Sequence, residues 1–177
     1  MLKTQIDTMY DDFVGLNEYL NKNNEISYAL LIQDYSRKIM LLSTASYFEF
    51  DFISRLLAFL EKRTDKKRTI INFIKNKALE RQYHTLFQWN GKNANSFFGL
   101  FGDDFKKYIQ DKVKNDLYLD ESIKAFLELG SERNRMVHND FSTYYLEKSE
   151  DEIYDLYKKS LRFVSQFCDI LRDFLES

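Results

Sequence analysis

SYALLIQDYSRKIMLLSTASYFEFDFISRLLAFLE, residues 27–61, contains no glycine, no proline and no charge cluster that would stop a helix. Within it Leu42, Ala45, Phe48, Phe52, Leu56, Phe59 and Leu60 recur at three- and four-residue steps, the spacing of one helical face. The pattern predicts one long helix over about 26–62, with Ser43–Ser46 as the place for any bend. The rest of the chain agrees with it. Proline is absent and there are only five glycines, which favours long helices over many short strands.

Working outward, 3–22 reads as an amphipathic helix with Ile6, Met9, Phe13, Leu16 and Leu20 inward. After the long helix, the basic stretch Lys62-Arg63-Thr64-Asp65-Lys66-Lys67-Arg68 leads to a helix of about 69–87 built on Ile70, Phe73, Ile74, Leu79 and Tyr83. Asn90 to Ser96 is loop chemistry, with Ser96 a candidate cap for a helix from 97 onward, although Phe-Phe-Gly-Leu-Phe-Gly suggests a short turn first. Helical segments follow at about 103–114 and 119–138. The last helix, about 150–175, buries Ile153, Leu156, Tyr157, Leu161, Val164, Phe167, Ile170, Leu171 and Phe174. Ser149 and Glu152 have capping-box spacing at its start. No linker or repeat divides the chain. The expectation is one all-α domain over 1–177, an up-and-down bundle of about five to six helices.

Composition narrows the function. With 44% apolar residues, 12 Tyr and 16 Phe, the 177-residue chain can pack a core without staples. A net charge of -2 denies it a global pull on phosphates, so an RNA site must be a local patch. Cys168 is alone, which excludes an intramolecular disulfide, and it reads as a small buried hydrophobe. The acidic start MLKTQIDTMYDDF lacks the apolar region of a signal peptide, and 39–60 carries Glu49, Asp51 and Arg55, too charged to span a bilayer. The reading is a soluble, cytoplasmic protein with no membrane role. Phosphate-cradling glycine loops, nucleophile elbows and zinc-binding His pairs are missing, and no cofactor or metal is expected.

Chemistry concentrates in Gly130-Ser131-Glu132-Arg133-Asn134-Arg135-Met136-Val137-His138-Asn139-Asp140, which ends a helix carrying Ile123, Phe126 and Leu127. Asn134 and His138 are four residues apart, on one helical face; Arg133 is about 140° from His138 on a straight helix. Only Arg133's long side chain or an irregularity near Gly130 would bring those two together. Such a set suits RNA transesterification, in which a 2′-hydroxyl loses a proton, a phosphorane is stabilised and the 5′-oxygen gains a proton. Histidine as a residue type titrates near neutrality and can move either proton. Arginine offers a permanent charge and a planar fork for phosphate oxygens, and asparagine can orient the imidazole or bond the phosphate. No metal enters this scheme. One histidine per subunit leaves one proton transfer uncovered, which a two-fold homodimer would supply. The bland alternative is a helix end whose charged residues only cap carbonyls.

Arg133-Asn134-Arg135-Met136-Val137-His138 resembles the Arg-polar-x-x-x-His signature of HEPN domains, with Phe126-Leu127-Glu128-Leu129 leading into it. Ala45-Ser46-Tyr47-Phe48-Glu49 resembles the acidic position on an earlier helix that faces the signature in many members. Phe98-Gly99-Leu100-Phe101-Gly102-Asp103-Asp104-Phe105 is similar to the approach seen in the prokaryotic RiboL-PSP-type branch. The resemblance covers about 28–175. It implies an all-α bundle that dimerises through the signature helices and, in many members, a metal-independent endoribonuclease of toxin–antitoxin, abortive-infection or CRISPR-linked systems. Other members have lost activity and bind RNA or nucleotides. Carried over, Arg133 and His138 would be catalytic, Asn134 supportive and Glu49 a fourth member. The tyrosine that some members carry two residues after the histidine, for regulatory nucleotidylation, is Asp140 here, so that regulation is not expected.

Glu49, among Phe48, Phe50 and Phe52, must either face solvent or pair with Arg133 or Arg135. Arg135, Lys66, Lys67 and Arg68 are candidate RNA-backbone contacts, although a solvated helix end explains the basic stretch equally well. His84 and Trp89 read as packing and a helix end in preference to a base-stacking site. Two functions follow: a ribonuclease, with an antitoxin or nucleotidyltransferase as partner, or a non-catalytic helical module that binds RNA, nucleotide or protein.

Overall fold

The computed structural model describes residues 3–64, 67–79 and 82–177. Among them are eight α-helices and no strand: α1 (Gln5–Lys22), α2 (Ile26–Arg63), α3 (Arg68–Ile74), α4 (Tyr83–Leu86), α5 (Asn95–Gly99), α6 (Asp103–Asn115), α7 (Leu117–Val137) and α8 (Glu150–Leu175). A single π-helical turn, Lys75–Leu79, follows α3. None of these helices is long and apolar enough to cross a membrane.

Three long helices make the frame. α7 packs along α8, and α2 packs along α8 and α1. Arg63 at the end of α2 reaches Glu176 beyond α8 at 2.5 Å, while Lys38 near the start of α2 donates to the Phe141 carbonyl, between α7 and α8, at 3.3 Å. α2 and α8 therefore run parallel and α7 runs against both, the alternation expected of an up-and-down bundle. α1 is fastened across the start of α8. Thr4 closes a capping box with Asp7, the Tyr10 ring stacks on Tyr154 at 3.9 Å, and the Asp7 carboxylate accepts from Tyr154 and Lys158. Burial works to raise the Asp7 pKa, but hydrogen bonds from Thr4, Tyr154 and Lys158 outweigh it and hold the group well below the usual carboxylate range.

The centre is phenylalanine. Phe52, Phe87, Phe97, Phe126, Phe163 and Phe167 meet mostly edge-to-face or tilted, with centroids from 4.4 Å for the stacked Phe87–Phe97 pair to 6.5 Å for Phe87–Phe163. The short loop-borne segments around Phe87 and Phe97 thus complete a core that the long helices leave open. Cys168 packs at its edge, where burial pushes the thiol up to about 11.

Most boundaries match the sequence pattern, and the capping box at Ser149 and Glu152 is present. Three details differ. The helix expected over 69–87 breaks at the π turn, and of its supposed inward residues Ile70 and Phe73 are exposed while Ile71 is buried. A seven-residue helix lying on α2 can bury only a narrow stripe, so the pattern there is ambiguous. Leu16 is exposed, because α1 is covered only near its start. Ser96 lies inside α5 and does not cap it; Asn93 Oδ1 instead accepts the Asn95 N–H at 3.1 Å.

Candidate functional site

α7 carries the polar cluster into a pocket of about 200 Å³ between α2, α4 and the Trp89 loop. Its buried lining is apolar, with Phe48, Phe126 and Leu129, and includes the nearly buried ring of Tyr83. The polar groups stand around that floor: Glu49, Arg133 and Asn134 half-buried, His84 exposed. Arg133 Nη1 donates to Asn134 Oδ1 at 3.1 Å. Arginine can only donate, so this bond fixes the amide orientation and leaves Asn134 Nδ2 as a donor for other partners. Burial pushes the Tyr83 phenol up, with the Glu49 charge reinforcing the shift and Arg133 opposing it, so Tyr83 stays protonated.

One glycine shapes the pocket. A Cβ on Gly130 would stand 2.0 Å from Trp89 Cε3, so the indole lies directly against the α7 backbone. Trp89 Nε1 donates to the His84 carbonyl at 2.8 Å, and its ring meets those of Tyr83, Phe87 and Phe126. Packing on α7 thereby fixes both Trp89 and the α4 segment that presents His84.

The expected site residues divide. Glu49, Arg133 and Asn134 come together. Glu49 does not pair as one reading held: it is only half-buried, no hydrogen bond or ion pair occupies its carboxylate among the described residues, and Arg135 turns away to pair with the buried Glu132. α7 stays helical through Gly130, so no irregularity swings Arg133 towards His138. His138 is instead the exposed C-cap, φ -92° and ψ 0°, its backbone N–H donating to the Asn134 carbonyl at 3.2 Å. It stands one turn beyond the pocket, about 6 Å further along the axis than Asn134. Asn139 Nδ2 caps the same end, donating to the Arg135 carbonyl at 2.7 Å, and Asp140 accepts from the Ser142 N–H and hydroxyl.

Lys67 and Arg68 are exposed at the start of α3, and Lys66 lies outside the described residues. The fold places Lys67 and Arg68 at the end of the bundle opposite His138, since Arg63 is about 20 Å along α2 from Glu49. His84 lines the pocket, where sequence reasoning favoured packing and a helix end. A lone histidine beside an aromatic run looks like packing, and only the contact between Trp89 and Gly130, 41 positions apart, turns it to the pocket.

Comparison with known proteins bears on the family. The family profile RiboL-PSP-HEPN matches residues 8–173. A search of curated proteins and a search of solved structures each returned no match.

Proposed function

The chain belongs to the RiboL-PSP-HEPN family, and from that premise we propose that it is a metal-independent endoribonuclease acting as a homodimer. One observation carries the reading: Arg133 and Asn134 open into a pocket whose edge is one helical turn from an exposed His138. In the reaction the substrate 2′-oxygen bonds to the adjacent phosphorus as its proton leaves, and the bond to the 5′-oxygen breaks as that oxygen gains a proton. The products are a 2′,3′-cyclic phosphate and a 5′-hydroxyl. His138 handles one of these protons and Arg133 offsets the charge that grows on the phosphorane oxygens. The second proton falls to His138 of a second copy across a two-fold axis.

The surface around His138 supports that pairing. Tyr28, Leu31, Tyr35, Ile39 and Phe50 are exposed along one side of α2 at near-helical steps, and Val137, Phe141 and Tyr145 are exposed beside it. Lys38 and Arg37 join the two groups, the first through the Phe141 carbonyl and the second over the Tyr145 ring at 4.9 Å. A copy docked on this stripe brings two His138 side chains near each other. An RNA-cleaving dimer of this kind suits a toxin–antitoxin or phage-defence setting, with an antitoxin or nucleotidyltransferase as its partner.

The non-catalytic alternative draws on the position of His138 outside the pocket. Cleavage of transfer and single-stranded RNA in EDTA, wild type beside His138→Ala, decides between them. The nuclease reading expects cyclic phosphate ends from wild type and at least a hundredfold loss in the variant at unchanged melting temperature. No cutting by demonstrably dimeric wild type at micromolar concentration overturns it in favour of a binding module.

A further inference from the structure

We infer that the pocket beside the signature is a base-reading site that selects guanine. The inference rests on the nuclease reading only for where the rest of an RNA strand would run; the pocket's own chemistry stands without it.

Size and shape come first. About 200 Å³ is too much for one or two waters at roughly 30 Å³ each and fits one planar heterocycle. Phe48, Phe126 and Leu129 make an apolar floor, and the rings of Tyr83 and Trp89 give it aromatic walls. Apolar and aromatic surface with a few polar groups at the rim is the environment in which proteins hold a splayed-out base. Trp89 spends its only donor on the His84 carbonyl, so it presents a ring and not a hydrogen bond.

The rim then chooses among bases. Glu49 brings two acceptor oxygens that no described neighbour occupies. Asn134 brings the Nδ2 donor left over from its bond to Arg133. Guanine alone offers two adjacent donors, N1–H and the N2 amine, next to an acceptor, O6. The carboxylate takes the two donors as a bidentate pair and the amide donates to O6. Adenine would turn its N1 lone pair towards the carboxylate, cytosine its N3, and uracil has a single N–H between two carbonyls. Arg133 keeps its remaining donors for phosphate. His138, one turn on, stands about as far from Asn134 as a phosphate stands from the base of its own nucleotide.

Trp89 is the chain's only tryptophan, so its fluorescence reports the pocket directly. Wild-type protein is titrated with GMP, IMP, AMP, CMP and UMP under equal absorbance correction. GMP should quench saturably, with AMP, CMP and UMP at least tenfold weaker and IMP, which lacks the N2 amine, in between. Glu49→Gln, checked for unchanged melting, should bring GMP down to the level of AMP. A guanosine-containing oligonucleotide that binds more than tenfold tighter than GMP assigns the base to an RNA strand; equal affinity assigns it to a free nucleotide. Absence of saturable quenching, or equal quenching by all five, overturns the inference. Because binding is read without cleavage, that result leaves the nuclease reading standing, and loss of nuclease activity leaves the pocket standing.

Discussion

Replacing Gly130 with alanine separates the packing argument from helix propensity, because the two predict opposite signs. In the middle of a helix, glycine to alanine ordinarily stabilises by about 0.5–1 kcal/mol. Here the new methyl would sit 2.0 Å from Trp89 Cε3 and 2.2 Å from Cζ3. The indole has nowhere cheap to go, since it is held by the His84 carbonyl and by the rings of Tyr83, Phe87 and Phe126. Overpacking of this kind costs about 1–3 kcal/mol, so the net effect is a loss of up to about 2.5 kcal/mol. Urea unfolding followed by circular dichroism measures it, and native Trp89 emission should shift to the red as the ring leaves its site. In a Trp89→Ala background the same substitution should revert to a gain, and the double-mutant cycle isolates the contact. A gain in the wild-type background with unchanged emission refutes the packing and, with it, the placement of His84.

Phe167→Ala removes a fully buried ring that touches Phe52, Phe97 and Phe163, and should cost about 3–5 kcal/mol in urea unfolding. Ser149→Ala removes the hydroxyl that accepts the Glu152 N–H and should cost about 1 kcal/mol, read in the same assay. Glu150 lies in the first turn of α8, where burial, reinforced by Asp151 and opposed by Arg37, pushes its pKa up to about 7. The folded state then holds that proton more tightly than the unfolded chain. Its contribution to stability is present below about pH 4.5 and is lost as pH rises towards 7. Glu150→Gln should flatten the thermal-stability profile across that window; an unchanged slope would show that Glu150 is not responsible.

The long helices were legible because their signals are local. The glycine- and proline-free run of α2 and the Ser149–Glu152 cap of α8 each lie within one element, and so does the stripe Ile123, Phe126, Leu127 on α7. The region between α2 and α6 was read poorly for the converse reason. There the chain is held by contacts far apart in sequence, Phe87 against Phe126 and Phe163, Phe97 against Phe167, and Trp89 against Gly130. Local periodicity over 69–87 carries no trace of the π turn that redirects it. The site divides the same way. Arg133 and Asn134 stood out as a polar cluster on an amphipathic helix, and Glu49 as a carboxylate among phenylalanines. His84 carried no signal of its own, and the separation of His138 from the pocket depends on where α7 ends, at Val137.

Mixing subunits tests the shared RNA-cleaving site most directly. Wild-type and His138→Ala chains are unfolded together, refolded at equal concentration and assayed for RNA cleavage in EDTA. If one site needs His138 from both subunits, only wild-type pairs cut, and random pairing leaves about one quarter of the activity of the same total amount of wild type. Half the activity would show that each subunit works alone and contradict the shared site, and no cleavage by the pure wild-type dimer would contradict the nuclease itself.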